Sequence, residues 1–128
     1  MKKNKLLFTV IVLCIIAVVC VIAYYAMPII YHSKQYIHNR LLKDTPIGSD
    51  KKQVLEYIKK TDYRIDSEVQ CAYEEQISAH REIGDSYVKV YVGHYQGIPW
   101  KCDVGVVWVF DKDEKLIHID VWKEYDAL

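Results

Sequence analysis

An uncharged, apolar run from Leu6 to Tyr31 constrains this chain more than any other feature of its sequence. A helix of about 20 apolar residues crosses a hydrocarbon core of roughly 30 Å, so the run is long enough to span a membrane. It follows Lys2, Lys3 and Lys5, a charge pattern that signal peptides and signal anchors share. Because a cleaved signal has an apolar region of only roughly 7 to 15 residues, the length favours an uncleaved anchor.

Lipidation at Cys20 is the alternative to a plain anchor. Cys20 lies where bacterial lipoprotein signals place their modified cysteine, but it follows Val19 instead of Gly, Ala or Ser. The residues after it are apolar, whereas a lipoprotein has a polar tether there. The composition therefore favours an unmodified cysteine inside the span.

The flanks of the run predict its orientation. Tyr24, Tyr25 and Tyr31 fall where the helix would leave the bilayer, and aromatic side chains favour that depth. The N-terminal lysines are more concentrated than the cations that follow the span, so the positive-inside rule predicts a cytoplasmic N-terminus. We expect a cytoplasmic tip and anchor over residues 1–31, a juxtamembrane helix over 32–45 and an extracytoplasmic domain over 46–128.

The residues beyond the anchor suffice for one small domain. They number about 95, within the range of a single domain and too few for two. The chain has 17 basic and 17 acidic residues, and three of the lysines precede the span. No basic patch indicates nucleic acid, and no spacing of histidines or cysteines indicates a metal or another cofactor.

Helical patterns occupy the first part of this domain. Apolar residues recur at helical spacing between Tyr36 and Leu42, before a Pro-Gly break. Asp50 and Gln53 form a capping-box pair that predicts a second helix from Asp50 to Lys60. The segment 61–85 has the least regular pattern, and we expect extended structure there.

Strand patterns occupy the remainder of the chain. Alternating valines predict a strand over Tyr87–Val92, then a loop over Gly93–Trp100 and a second strand over Asp103–Phe110. A hairpin loop over Asp111–Glu114 would bring a third strand back.

That hairpin predicts which residues share a face. In the expected register Trp108 faces Ile117, which sorts the apolar residues onto one side of the sheet. This side holds Val104, Val106, Trp108, Ile117, Ile119 and Val121, and the other holds Gly105, Val107, His118, Asp120 and Trp122. The expected fold is α+β, a transmembrane helix followed by two helices on a three- to four-stranded antiparallel sheet.

Two phrases of the sequence resemble a known family. The segment from Pro46 to Asp50, followed by Val54, resembles the start of the second helix in BamE-like (SmpA/OmlA-type) domains. The segment from Val109 to Leu116 resembles the strand-turn-strand that closes them. The resemblance implies a small, anchored, extracytoplasmic bacterial domain that binds partners and has no catalytic residues.

Cys71 and Cys102 leave two structural alternatives open. In an oxidising compartment they would form a disulfide that closes a loop of about thirty residues and stabilises the fold by roughly 3 to 4 kcal/mol. The alternative is two thiols that never meet. A reactive thiol at either position would make the protein a thiol-dependent enzyme, although no local signature pairs a cysteine with a base.

The best candidate contact surface is an aromatic group on the expected loop: Tyr91, His94, Tyr95 and Trp100. Large amphipathic rings are typical of binding surfaces, although Trp100 would leave that surface if it folded under its own loop. The sequence thus predicts a non-catalytic interaction module of the bacterial envelope with an envelope protein as partner. The alternative is an inhibitor or immunity-type protein that blocks a secreted enzyme or toxin.

Overall fold

A long apolar helix precedes a small α+β domain in the computed structural model, which describes residues 1–75, 81–97 and 99–127. The helices are α1 (Lys2–Ala26), a 3₁₀ turn (Ile29–Tyr31), α2 (Lys34–Asp44) and α3 (Lys51–Lys60). The strands are β1 (Arg64–Val69), β2 (Tyr73–Glu75), β3 (Arg81–Ile83), β4 (Ser86–Gln96), β5 (Trp100–Phe110) and β6 (Leu116–Ala127). The predicted α+β class is confirmed.

Helix α1 has the length and composition of a membrane span. It contains 25 residues, none of them buried, and its most apolar stretch has a mean hydropathy of 3.4. The helix ends at Ala26, before the predicted run ends, because Pro28 has no N–H to continue the helical hydrogen bonds. The last residues of the run form the 3₁₀ turn, which packs against the domain.

Local capping sets the starts of α2 and α3. The Ser33 hydroxyl accepts a hydrogen bond of 3.2 Å from the backbone N–H of Tyr36. The predicted capping box at α3 is confirmed, with the Gln53 side chain accepting from the backbone N–H of Asp50 at 3.1 Å. These side chains satisfy first-turn donors that a helix cannot pair internally.

The main sheet has four antiparallel strands in the order β1-β4-β5-β6, and β2 pairs with β3 in a separate hairpin. Helices α2 and α3 cover one face, which we call the inner face. Its core consists of Ile37, Leu41, Val54, Ile58, Val88, Val90, Cys102, Val104, Val106, Trp108, Phe110, Leu116, Ile119 and Val121. The predicted extended structure between residues 61 and 85 is confirmed for β1, β2 and β3, while 76–80 lie outside the described residues.

The predicted register of the last hairpin is wrong by two residues. Trp108 pairs with Ile119, and a bulge at Ile117 leaves that side chain 37% exposed. The turn is longer than expected because the Asp111 carboxylate accepts from the N–H groups of both Asp113 and Lys115, at 2.9 and 3.0 Å. A shift of two residues preserves the side-chain alternation, so the other inner-face assignments are confirmed.

A buried hydrogen bond joins the core of the sheet to the end of α2. The indole N–H of Trp108 donates to the hydroxyl of Thr45 at 3.1 Å, and that hydroxyl donates to the carbonyl of Leu41 at 2.8 Å. All three residues are buried. The bond fixes the position of β5 relative to the C-terminal end of α2.

Candidate partner-binding surface

The predicted loop over Gly93–Trp100 is largely strand. Strand β4 continues to Gln96, β5 starts at Trp100, and Tyr95 pairs with Cys102 across the ladder. Where the two strands meet, the N–H of Gly97 donates to the carbonyl of Trp100 at 2.8 Å. Gly93, where the loop was predicted to begin, lies within the strand beside Ile30 of the 3₁₀ turn.

A β-bulge at Val92 divides the predicted contact residues between the two faces. Tyr91 pairs with Gly105 and Gly93 with Val104, so Val92 is the additional residue on its strand. Because alternation restarts after the bulge, Tyr91 and His94 both lie on the face away from the helices, which we call the outer face. Tyr95 and Trp100 therefore lie on the inner face, and the four residues do not form one surface.

On the outer face, Tyr91 and His94 belong to a polar network. The Tyr91 hydroxyl donates to Asp103 Oδ1 at 3.0 Å and lies 3.0 Å from His94 Nδ1. The Arg64 guanidinium lies 4.7 Å from the Tyr91 ring centroid, and Lys101 Nζ lies 3.3 Å from Asp103 Oδ2. Burial and the hydrogen bond to Asp103 raise the pKa of Tyr91. The network fixes these side chains as a mixed aromatic and charged surface.

On the inner face, Tyr95 is partly buried against the edge of the core. Its ring centroid is 5.2 Å from that of Tyr31, and it pairs with Cys102 across the ladder. Interaction with the Cys102 thiol, together with burial, raises the pKa of Tyr95. Trp100 is 53% exposed, so the alternative in which it folds under its own loop is wrong.

The two cysteines of the domain are not joined. Cys71 is exposed just after β1, whereas Cys102 is 1% exposed in the core. Both are free thiols, which matches the predicted alternative in which the two cysteines do not meet. The two thiols also differ in reactivity, because a reactive thiol requires solvent access, which Cys102 lacks.

A cleft on the outer face was not predicted from the sequence. It has a volume of about 690 Å³ and forms where the β2-β3 hairpin folds over the sheet. Its lining consists of Tyr73, Glu74, Tyr87, Lys89, Val107, Trp122, Lys123 and Glu124. Strand alternation in the sequence places Tyr87, Lys89 and Trp122 on one face. This alternation was the sequence signal from which a site on that face could have been predicted.

Aromatic contacts define the walls of the cleft. The Tyr73 hydroxyl donates to Asp120 Oδ2 at 2.6 Å, which ties the hairpin to β6. The rings of Tyr73 and Tyr87 lie 5.3 Å apart, and Lys89 Nζ lies 5.2 Å from the ring of Trp122. Among the described residues, no carboxylate lies within ion-pair distance of Lys89.

The Trp122 ring packs against a position of β5 where only glycine leaves room for it. The indole lies directly on Gly105, and a Cβ at that position would overlap the ring. The indole N–H is buried and has no hydrogen-bond partner in the described part of the chain. The predicted outer-face residues are confirmed, and Val107 beneath the cleft is 1% exposed.

His118, a second histidine of the outer face, lies beside the hairpin. Its Nε2 is 3.7 Å from Glu75 Oε1, so the two groups form an ion pair when the ring is protonated. In the described ranges, no three His, Cys, Asp or Glu side chains are grouped so as to hold a metal.

No protein-family model matches this chain, and no curated protein and no solved structure matches it. The resemblance to BamE-like domains therefore stays a prediction from the sequence.

Proposed function

We propose that this protein is a single-pass, membrane-anchored interaction module that binds another envelope protein in the outer-face cleft and catalyses nothing. Helix α1 supports the anchoring by its length, composition and complete exposure. The cleft is the observation that carries the binding role. The resemblance to BamE-like domains, which bind partners, points in the same direction.

The proposed orientation has the N-terminus in the cytoplasm and the domain outside it. The concentration of lysines before the span supports this arrangement. Cys71 is an exposed natural probe, because Cys102 is buried and the other two cysteines lie within α1. We expect a membrane-impermeant maleimide to label this protein in intact cells, and we expect Cys71→Ser to abolish its labelling. Labelling only after lysis would contradict the orientation.

The lining of the cleft suits a segment of polypeptide. Tyr87 and Trp122 present half-buried rings, the side-chain type that dominates binding energy at protein interfaces. Lys89 supplies a cation between them, 5.2 Å from the ring of Trp122. We therefore propose a partner that inserts an acidic segment.

Site-specific photocrosslinking in the native cell tests this proposal. A benzophenone amino acid replaces Tyr87 inside the cleft, or Lys59 on the exposed side of α3, which covers the opposite face of the sheet. We expect a discrete crosslinked protein from the Tyr87 position only, because a partner in the cleft does not reach the helices on the other face.

A charge reversal supplies the matched control. Lys89→Glu should abolish the crosslink from position 87, whereas Lys52→Glu on the exposed side of α3 makes the same charge change and should preserve it. An unchanged crosslink in the Lys89→Glu variant, or no crosslink from Tyr87, would refute binding in the cleft.

A further inference from the structure

The end of the sheet nearest α1 carries aromatic side chains that lie outside the proposed cleft. Tyr95 and Tyr125 pair with Cys102 from either side, and Trp100 lies two residues before Cys102 on the same face. Tyr31 completes the group, with its ring centroid 5.2 Å from that of Tyr95. We call Tyr31, Tyr95, Trp100 and Tyr125 the aromatic patch.

Three members of the aromatic patch are substantially exposed. The exposed fraction is 50% for Tyr31, 53% for Trp100 and 60% for Tyr125. Neighbouring exposed rings mark a contact surface more strongly than a single exposed ring does. Tyrosine and tryptophan favour the membrane-water interface, because each has an apolar ring and a polar hydrogen-bonding group.

A short joint holds the aromatic patch close to the end of the span. Helix α1 ends at Ala26, and the 3₁₀ turn that packs on the sheet begins at Ile29. Three Cα-to-Cα steps cover at most about 11 Å. The sheet end therefore cannot move far from the point where α1 leaves the bilayer.

Direct contacts fasten the joint to the sheet and to the helix. Lys123 Nζ donates to the carbonyl oxygens of Ile30 and His32, at 3.2 and 2.7 Å. The ring of His32 lies 4.7 Å from that of Tyr24 in the last turns of α1, and 3.9 Å from that of Tyr36 in α2. These contacts fix the direction in which the domain leaves the helix.

From these observations we infer that the aromatic patch lies in the headgroup region of the bilayer that α1 crosses. The domain then rests against the membrane, and the outer-face cleft remains open to a protein partner. The inference relies on the proposed membrane anchoring but not on the proposed partner.

Quenching of tryptophan fluorescence by lipid tests the inference on the full chain in liposomes. The probe is phosphatidylcholine with bromine on the acyl-chain carbons nearest the headgroup, compared with the same lipid without bromine. The chain has three tryptophans, of which Trp108 is fully buried and Trp122 lies in the cleft. We expect bromine to quench the wild-type emission, and Trp100→Phe to remove at least half of that quenching.

Matched variants and a second quencher make the result decisive. Trp122→Phe also removes one indole but should preserve the bromine-dependent quenching. Equal quenching in wild type and Trp100→Phe would overturn the inference. So would a Trp100 that acrylamide in the water quenches and brominated lipid does not, because the aromatic patch would then be free for a protein. Flotation of each variant with the liposomes reports anchoring separately, so a failure of anchoring is distinguishable from a failure of the inference.

Discussion

Replacing Thr45 by valine should destabilise the domain by about 2 kcal/mol. Valine keeps the shape of the side chain but removes the hydroxyl that accepts from the Trp108 indole at 3.1 Å. The Leu41 carbonyl retains a partner, because it also accepts from the Thr45 backbone N–H at 2.7 Å. The main cost is therefore a single buried donor without an acceptor, about 1 to 3 kcal/mol.

Thermal and urea unfolding of the full chain in detergent micelles, followed by near-ultraviolet circular dichroism, measures this loss. For a domain of this size, 1 kcal/mol lowers Tm by about 4 to 8 °C, so we expect a decrease of about 8 to 16 °C. Thr45→Ser keeps the hydroxyl and should lose only the contribution of one buried methyl group, about 0.8 kcal/mol.

A double-mutant cycle separates the hydrogen bond from the packing. In a Trp108→Phe background no indole N–H remains. Thr45→Val should therefore lower the free energy of unfolding only slightly in that background. The reasoning would be refuted if Thr45→Val cost less than about 0.5 kcal/mol in the wild type, or cost the same in both backgrounds.

Two further predictions concern the outer face. Gly105→Ala should force the Trp122 ring from its position and cost about 1 to 3 kcal/mol, measured by urea unfolding, whereas the same change in a Trp122→Ala background should cost far less. Burial and the hydrogen bond to Asp120 raise the pKa of Tyr73 above its ordinary value of about 10, so its neutral hydroxyl contributes stability below that pH. This contribution is lost as the pH rises through the folded-state pKa. Tyr73→Phe should therefore reduce the alkaline loss of stability in urea titrations between pH 9 and 12, and an unchanged alkaline slope would contradict it.

Local patterns predicted much of the fold because their physical causes are local. The apolar run, the capping box at Asp50 and the alternation of the valines each depend on residues a few positions apart. Alternation specifies which face a residue occupies, but it does not distinguish two registers that differ by two residues. The pairing of Trp108 was therefore predicted wrongly while its face was predicted correctly.

The candidate site depended on features that no short pattern contains. The cleft exists because Tyr73 reaches Asp120, 47 residues away, and folds the β2-β3 hairpin over the sheet. The bulge at Val92 has one sequence marker, Gly93 directly after it, but that glycine equally suits the loop that the sequence predicted there. Because the bulge was not predicted, the sequence could not assign four residues to their faces: Tyr91, His94, Tyr95 and Trp100.

The bulge at Val92 also decides which surface each side chain of the last part of β4 joins. Deleting Val92 would remove the extra residue but preserve these faces, because Tyr91 and Gly93 already pair with the neighbouring residues Gly105 and Val104. If the ladder instead ran regularly through Val92, His94 would point toward the joint with α1, and Tyr95 would point toward Asp103 on the opposite side. Both surfaces therefore depend on one irregularity in the ladder, and a regular strand of the same sequence would present different residues to the outer face and to the aromatic patch.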